Sequence, residues 1–221
     1  QLRACTAPML VGNLLFVRRF DRVVTASHMT QARPGPTTVH RLHQESLASL
    51  AGLRGFAPAT SQNELLSALR RYATDPLTET LEFIKRDVLN LALRNTYNHA
   101  RNTAVQRTLD GRITLTPLFD FAPMFMDPEI IARSLHWRNS GGVRLDHWRE
   151  IVQTLDLPEA QRNHISRELA QFAELVGRLP DIAKECGVEA PVLEQCRRSI
   201  DTQAGQLATL TGSTPTDRTH G

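Results

Sequence analysis

Between Pro76 and about Leu93, apolar side chains recur at steps of three and four: Leu77, Leu81, Ile84, Val88, Leu91 and Ala92. That spacing gathers them on one face of a helix, and so long a stripe predicts a core element. Upstream, Ser61 with Glu64 three residues on is a capping-box pattern that opens a helix through Leu65, Leu66 and Leu69, ended by Pro76. Leu42 to Leu53 carries a shorter helical pattern through Leu47 and Leu50. The polar run from Ala26 to Thr38, with Pro34, Gly35 and Pro36, reads as the loop that feeds it. Met9 to Arg19 reads as a pair of short strands turning at Gly12-Asn13 and followed by Asp21-Arg22.

Past the long helix the period changes. Thr103 to Gln106 and Ile113 to Leu115 are strand candidates, and Leu109-Asp110-Gly111 between them supplies a turn with glycine where positive φ is needed. Beyond Asp127-Pro128 the pattern is helical again: a short helix to Leu135, then Asp146 to Leu155, Pro158 to Leu179 and Pro191 to Leu210. Thr211 to Gly221 is a polar, frayed tail. No repeat or low-complexity tract is present, so the expected fold class is mainly α with a minor β-hairpin or short sheet.

Composition narrows this picture modestly. Leucine and alanine dominate the apolar set and aromatics are only 5%, which favours packed helices over a β-sandwich, and 221 residues suffice for one good core. All but Lys85 and Lys184 of the 26 basic residues are arginine, yet the net charge is only +3, so direct binding to nucleic acid is not expected. Cys5, Cys186 and Cys196 include no close pair, which points to a reducing, cytoplasmic setting. No apolar run reaches the roughly 18 residues of a membrane span. Because Gln1 enters a strand-like pattern almost at once, we expect the chain to be a fragment of something longer.

One constellation carries chemistry. Phosphoryl transfer by a protein kinase uses a carboxylate base, an asparagine on magnesium five residues later, and an aspartate on the metal beyond a short hairpin. Here Asn102 stands five residues after Tyr97, and Asp120 follows the second candidate strand. Magnesium keeps most of its waters and takes one or two protein oxygens plus phosphates, so an amide and a carboxylate suffice.

The segments FVRRFDR, RLHQESLASLAG, NTYNHARNTAVQ and ITLTPLFDFAPMF, in that order from about Leu15 to Trp137, resemble the HipA-like serine/threonine kinase family of bacterial toxin–antitoxin pairs. The resemblance implies ATP and Mg2+ as cofactors and the large, C-terminal lobe of a protein-kinase-like fold. It makes residues 1–22 the end of the small-lobe sheet with a hinge-like segment, 23–210 the helical lobe and 211–221 a flexible tail. By it Arg18, Arg19 and Phe20 resemble the hinge that receives adenine. His99, Arg101 and Asn102 fall in the catalytic-loop segment, with Asn102 on the metal, and Phe119 and Asp120 resemble the metal-binding pair. It also implies a protein substrate and a small DNA-binding antitoxin as partner.

Two departures qualify the activity. Tyr97 stands where the family has its aspartate base, and a phenol with a reference pKa near 10 accepts a hydroxyl proton poorly at neutral pH. Loss of a general base typically costs about 10²–10⁴ in rate. No glycine-rich phosphate loop or strand lysine precedes the hinge-like segment, so a small lobe is expected upstream or in another subunit. The chain reads either as a kinase impaired by Tyr97 or as a pseudokinase-type interaction module. His40-x-x-His43 has no companion set for zinc, His99 is a weak substitute base, and Met124, Phe125, Met126, Trp137 and Trp148 read mainly as packing residues.

Overall fold

The apolar segment around Gly12 folds as a hairpin of β1 (Met9–Val11) and β2 (Leu14–Phe16), in register Met9 to Phe16, with Gly12 at φ +59°. Only glycine enters that region without cost, so the turn stands where the sequence puts it. The structure, a computed structural model, describes residues 2–4, 7–26, 37–55, 60–122, 124–127 and 132–211. They divide into two compact units, Gln1–Phe83 with Asn98–Ala122, and Ile84–Tyr97 with Pro123–Gly221.

In the first unit β3 (Arg22–Ala26) pairs antiparallel with β4 (Thr37–Arg41), Arg22 opposite Arg41 and Ala26 opposite Thr37. The expected loop from Ala26 to Thr38 is therefore bounded by strand at both ends, and Pro34, Gly35 and Pro36 lie outside the described residues. The helical pattern from Leu42 is also corrected: β5 (His43–Ser46) precedes a single turn of helix, α1 (Leu47–Leu50). Pairing with a distant strand overrides the local spacing here. Ser46 caps that turn, accepting the Ser49 N–H at 3.2 Å.

The capping box opens α2 (Gln62–Tyr72) as expected. It stops short of Pro76 because Thr74 N–H donates to the Ile113 carbonyl at 3.0 Å. Asp75 then caps α3 (Pro76–Ala92), accepting Thr78 N–H at 3.1 Å and its hydroxyl at 2.7 Å. Proline fits this first turn, where no intrahelical N–H is missed. The predicted hairpin forms as β6 (Ala104–Arg107) and β7 (Ile113–Leu115), with Gly111 at φ +84°, and β5 joins it to give the order β5-β6-β7. Leu47, Leu65, Leu69 and Leu115 are buried in this unit.

In the second unit β8 (Trp137–Arg138) pairs with β9 (Arg144–Leu145), followed by α4 (Trp148–Thr154), α5 (Glu159–Gly177), α6 (Leu179–Glu185) and α7 (Ala190–Ala208). The expected short helix does not extend to Leu135, since residues 132–136 are not helical; 128–131 lie outside the described residues. Asp87 ties this segment to α3 instead: it accepts Arg133 Nη2 at 2.6 Å and Trp137 Nε1 at 2.8 Å. Ile165, Leu169 and Val176 of α5 and Ile200 and Leu207 of α7 are fully buried where those helices pack. Buried Trp148 donates to Gln203 Oε1 at 2.6 Å, so both tryptophans anchor packing. Of the expected tail, residues 212–221 lie outside the described residues. Among the described residues seven α-helices accompany four small antiparallel sheets, and no helix is long and apolar enough to cross a membrane.

Candidate functional site

The β6–β7 ribbon decides where Asn102 and Asp120 go. β6 begins two residues after Asn102, β7 ends at Leu115, and Thr116 N–H extends the ladder by donating to the Ala104 carbonyl at 2.9 Å. Antiparallel pairing therefore brings the chain arriving from Asn102 and the chain leaving for Asp120 to one end of the ribbon, with the Leu109–Gly111 turn at the other. The arriving strand is pinned by α1, whose Leu47 and Ala48 N–H groups donate to the Thr103 and Ala100 carbonyls at 2.9 and 3.0 Å. Asn102 N–H closes a turn on the His99 carbonyl at 2.9 Å. His99 Nδ1 accepts the Arg101 N–H at 3.2 Å, and the Arg101 guanidinium donates to the Gly55 carbonyl. Both side chains thus hold the loop's shape.

The departing strand is held from α3. Glu79 is buried, and its carboxylate accepts two bonds from the Arg3 guanidinium, at 2.6 and 2.5 Å, and the Leu115 N–H at 2.9 Å. Arg3 N–H donates to Glu82 Oε1 at 3.0 Å while its carbonyl accepts Leu118 N–H at 3.1 Å. Burial pulls the Arg3 guanidinium down, but its bonds to Glu79 and the charges of Glu79, Glu82 and Asp75 outweigh this and hold it above its ordinary value. A charged, bidentate pair is a stiff clamp. It fixes residues 115–118, the approach to Phe119 and Asp120.

Phe119 then packs against Phe20, ring centroids 5.9 Å apart and planes 33° to each other, which joins two of the sequence-predicted site positions. Asp120 follows at φ +53°, a left-handed conformation that aspartate tolerates better than most residues. Its side chain is exposed, and among the described residues its carboxylate has no hydrogen-bond or ion-pair partner. Of the other two residues expected there, Arg18 is exposed, and exposed Arg19 grips Asp21 with Nε and Nη2 at 2.7 and 2.6 Å. Those bonds hold the Asp21 carboxyl below its usual range.

Tyr97 belongs to the second unit and is half-buried. It follows a left-handed helix end: Arg94 at φ +54° donates its N–H to the Leu91 carbonyl at 3.3 Å, and Asn95 N–H reaches the Asn90 carbonyl at 2.8 Å. This is the Schellman pattern, here with arginine where glycine is usual. The Arg94 guanidinium lies 4.6 Å from the Phe125 ring centroid and donates to the Gln195 carbonyl at 3.2 Å.

Among the described residues no group of three or more His, Cys, Asp or Glu side chains gathers around a common point. One amide and one unpaired carboxylate at a ribbon end instead suit a hard cation that keeps its waters. Sequence reading missed Arg3, Glu79 and Asp87. The signal present was a pair of carboxylates, Glu79 and Asp87, within the stretch of the apolar stripe; what they bond lies dozens of residues away.

The family model described as HipA-like C-terminal domain matches residues 2–176. Among solved structures, the chain is similar to one in the Shewanella oneidensis MR-1 complex of the toxin–antitoxin system HipA, HipB and its operator DNA, with 16% identity and a TM-score of 0.64. The match covers 96% of this chain and 55% of that one, so this chain spans about half its length. At this identity the likeness is one of fold. No curated protein matches.

Proposed function

Because this chain belongs to the HipA-like C-terminal domain family, we propose that it is the large lobe of an ATP- and Mg2+-dependent serine/threonine protein kinase whose base position is occupied by Tyr97. The observation that carries the reading is the ribbon register, which sends Asn102 and Asp120 to one end, beside the contact of Phe20 with Phe119. In this reading the backbone of Arg18, Arg19 and Phe20 receives adenine. Asn102 and Asp120 hold magnesium, which neutralises charge on the phosphates. Arg101 and His99 keep the loop in place, and Arg3 and Glu79 brace the strand leading to Asp120.

A small lobe from elsewhere in the polypeptide or another subunit completes the ATP site. The β1–β2 hairpin is a reasonable place for it to dock, since its six apolar residues are 50–70% exposed and an isolated hairpin is marginal in water. Tyr97 leaves the substrate hydroxyl without an effective base, so transfer to a protein substrate is slow. The alternative is an interaction module that pairs with a small DNA-binding antitoxin in the cytoplasm. It draws support from Tyr97 and from the HipA–HipB–DNA complex of the Shewanella relative.

The test uses the chain joined to its small lobe, with radiolabelled ATP, magnesium and serine/threonine-containing protein acceptors. Tyr97→Asp is expected to raise transfer by about 10²-fold or more, and Asp120→Ala to abolish the gain. No gain with Tyr97→Asp, alongside antitoxin binding that survives Asn102→Ala and Asp120→Ala, would decide for the interaction module.

A further inference from the structure

The end of the β5–β6–β7 sheet remote from Asn102 and Asp120 carries an unexplained concentration of positive charge. His40, Arg41, His43, Arg107, Thr108 and Gly111 line a cavity of about 320 Å³ there, and among the described residues no carboxylate lines it. Strand register makes the arrangement unfavourable in isolation. Arg41 stands directly opposite Arg22, and His43 directly opposite Arg107. Of these, Arg41 and Arg22 set like charges across a strand pair, which destabilises it.

Of the nearby acids only Asp21 offsets it, and only from the Arg22 side. Asp21 is gripped by Arg19 and lies 3.6 Å from Arg22 Nε. Asp110 is bonded to the Thr108 hydroxyl, and Glu45, two residues beyond His43, forms no ion pair with a described residue. Among the described residues the Arg41 and Arg107 guanidinium groups have no hydrogen-bond or ion-pair partner. Near the Arg107 head group lies the turn glycine, where an added Cβ at Gly111 would sit 3.9 Å from Nη2. Two arginine forks beside a tight turn are donors that a tetrahedral oxyanion accepts from.

We propose that this cavity, lined by Arg41, Arg107, His40 and His43, is a recognition site for a phosphate monoester group. The inference does not depend on the kinase reading, because it concerns the opposite end of the ribbon. Bound phosphate would supply the negative charge that the Arg41 and Arg107 guanidinium groups lack. The carrier is either a free nucleotide or a phosphorylated side chain, which present the same dianion.

The test is titration of the full chain with inorganic phosphate, adenosine monophosphate and a phosphoserine peptide, at constant ionic strength against chloride. Binding is read by calorimetry and by perturbation of the His40 and His43 ring resonances. The expected result is saturable phosphate binding on the order of millimolar, weakened about tenfold or more in Arg41→Gln/Arg107→Gln. Those substitutions remove facing charges, so the variant should stay folded, which circular dichroism checks. Binding by Asp120→Ala should persist. A tighter complex with either carrier than with phosphate alone identifies the source. Absence of saturation, or equal binding by the double glutamine variant, overturns the proposal.

Discussion

The Glu79 carboxylate accepts the backbone N–H of Leu115, 36 residues further along the chain, at 2.9 Å while also carrying the Arg3 guanidinium. A helix side chain thereby completes the last rung of a strand that leads to Asp120. The group is buried, so removing it leaves both a cation and an N–H without their partner.

For Glu79→Ala we expect a loss of about 3 kcal/mol, below the upper range for buried pairs because Arg3 keeps some solvent contact. Glu79→Gln retains an oxygen for Leu115 and should be less harmful by about 1 kcal/mol. Urea unfolding of both variants gives the comparison, and equal losses would show that the Leu115 bond contributes nothing.

Arg94 should pay for its left-handed backbone. Glycine at this position relieves about 1 kcal/mol of conformational cost, whereas both Arg94→Gly and Arg94→Ala lose the stacking on Phe125 and the bond to Gln195. The glycine variant is therefore expected to be more stable than the alanine variant by about that amount in thermal unfolding. The reverse order would mean that φ at Arg94 carries no strain.

Asp75 caps α3, and Asp75→Ala should cost about 1 kcal/mol at neutral pH, with Asp75→Asn costing little. Bonds from the Thr78 hydroxyl and N–H hold the Asp75 carboxyl below its ordinary 3.8. The folded state thus prefers the charged form. Its stabilisation is complete above the ordinary value and lost as pH falls through the lower folded one. Acid unfolding should show this loss in the parent and not in Asp75→Asn.

His136 titrates in the opposite direction from a histidine that has gained an acid. Burial first, and then the nearby Arg144 and Arg133 charges, push its imidazole below the ordinary 6.5, and Nε2–H donates to the Arg133 carbonyl at 3.1 Å. The folded state therefore prefers neutral imidazole, so its advantage is whole above 6.5 and declines as pH drops towards the folded value. Unfolding measured from pH 7.5 to 5 should show a decline that His136→Gln lessens.

Much of the architecture was written in local pattern. The Leu77 to Ala92 stripe, the Ser61 capping box, the Gly12 turn and the Gly111 hairpin depend on residues within a turn or two of each other, and each folds where the spacing puts it. The order of the family-like segments is likewise readable from the chain, and the family match over residues 2–176 agrees with it. Tertiary structure alone decided that His43 to Ser46 ends as a sheet strand and that Asp87 takes Arg133 and Trp137 as partners. It also set Arg3 and Glu79 to brace the approach to Asp120, and Phe20 to meet Phe119. Each of these is a contact between residues far apart in sequence. Its free energy exists only once the intervening chain has closed, so no window of neighbouring residues contains it.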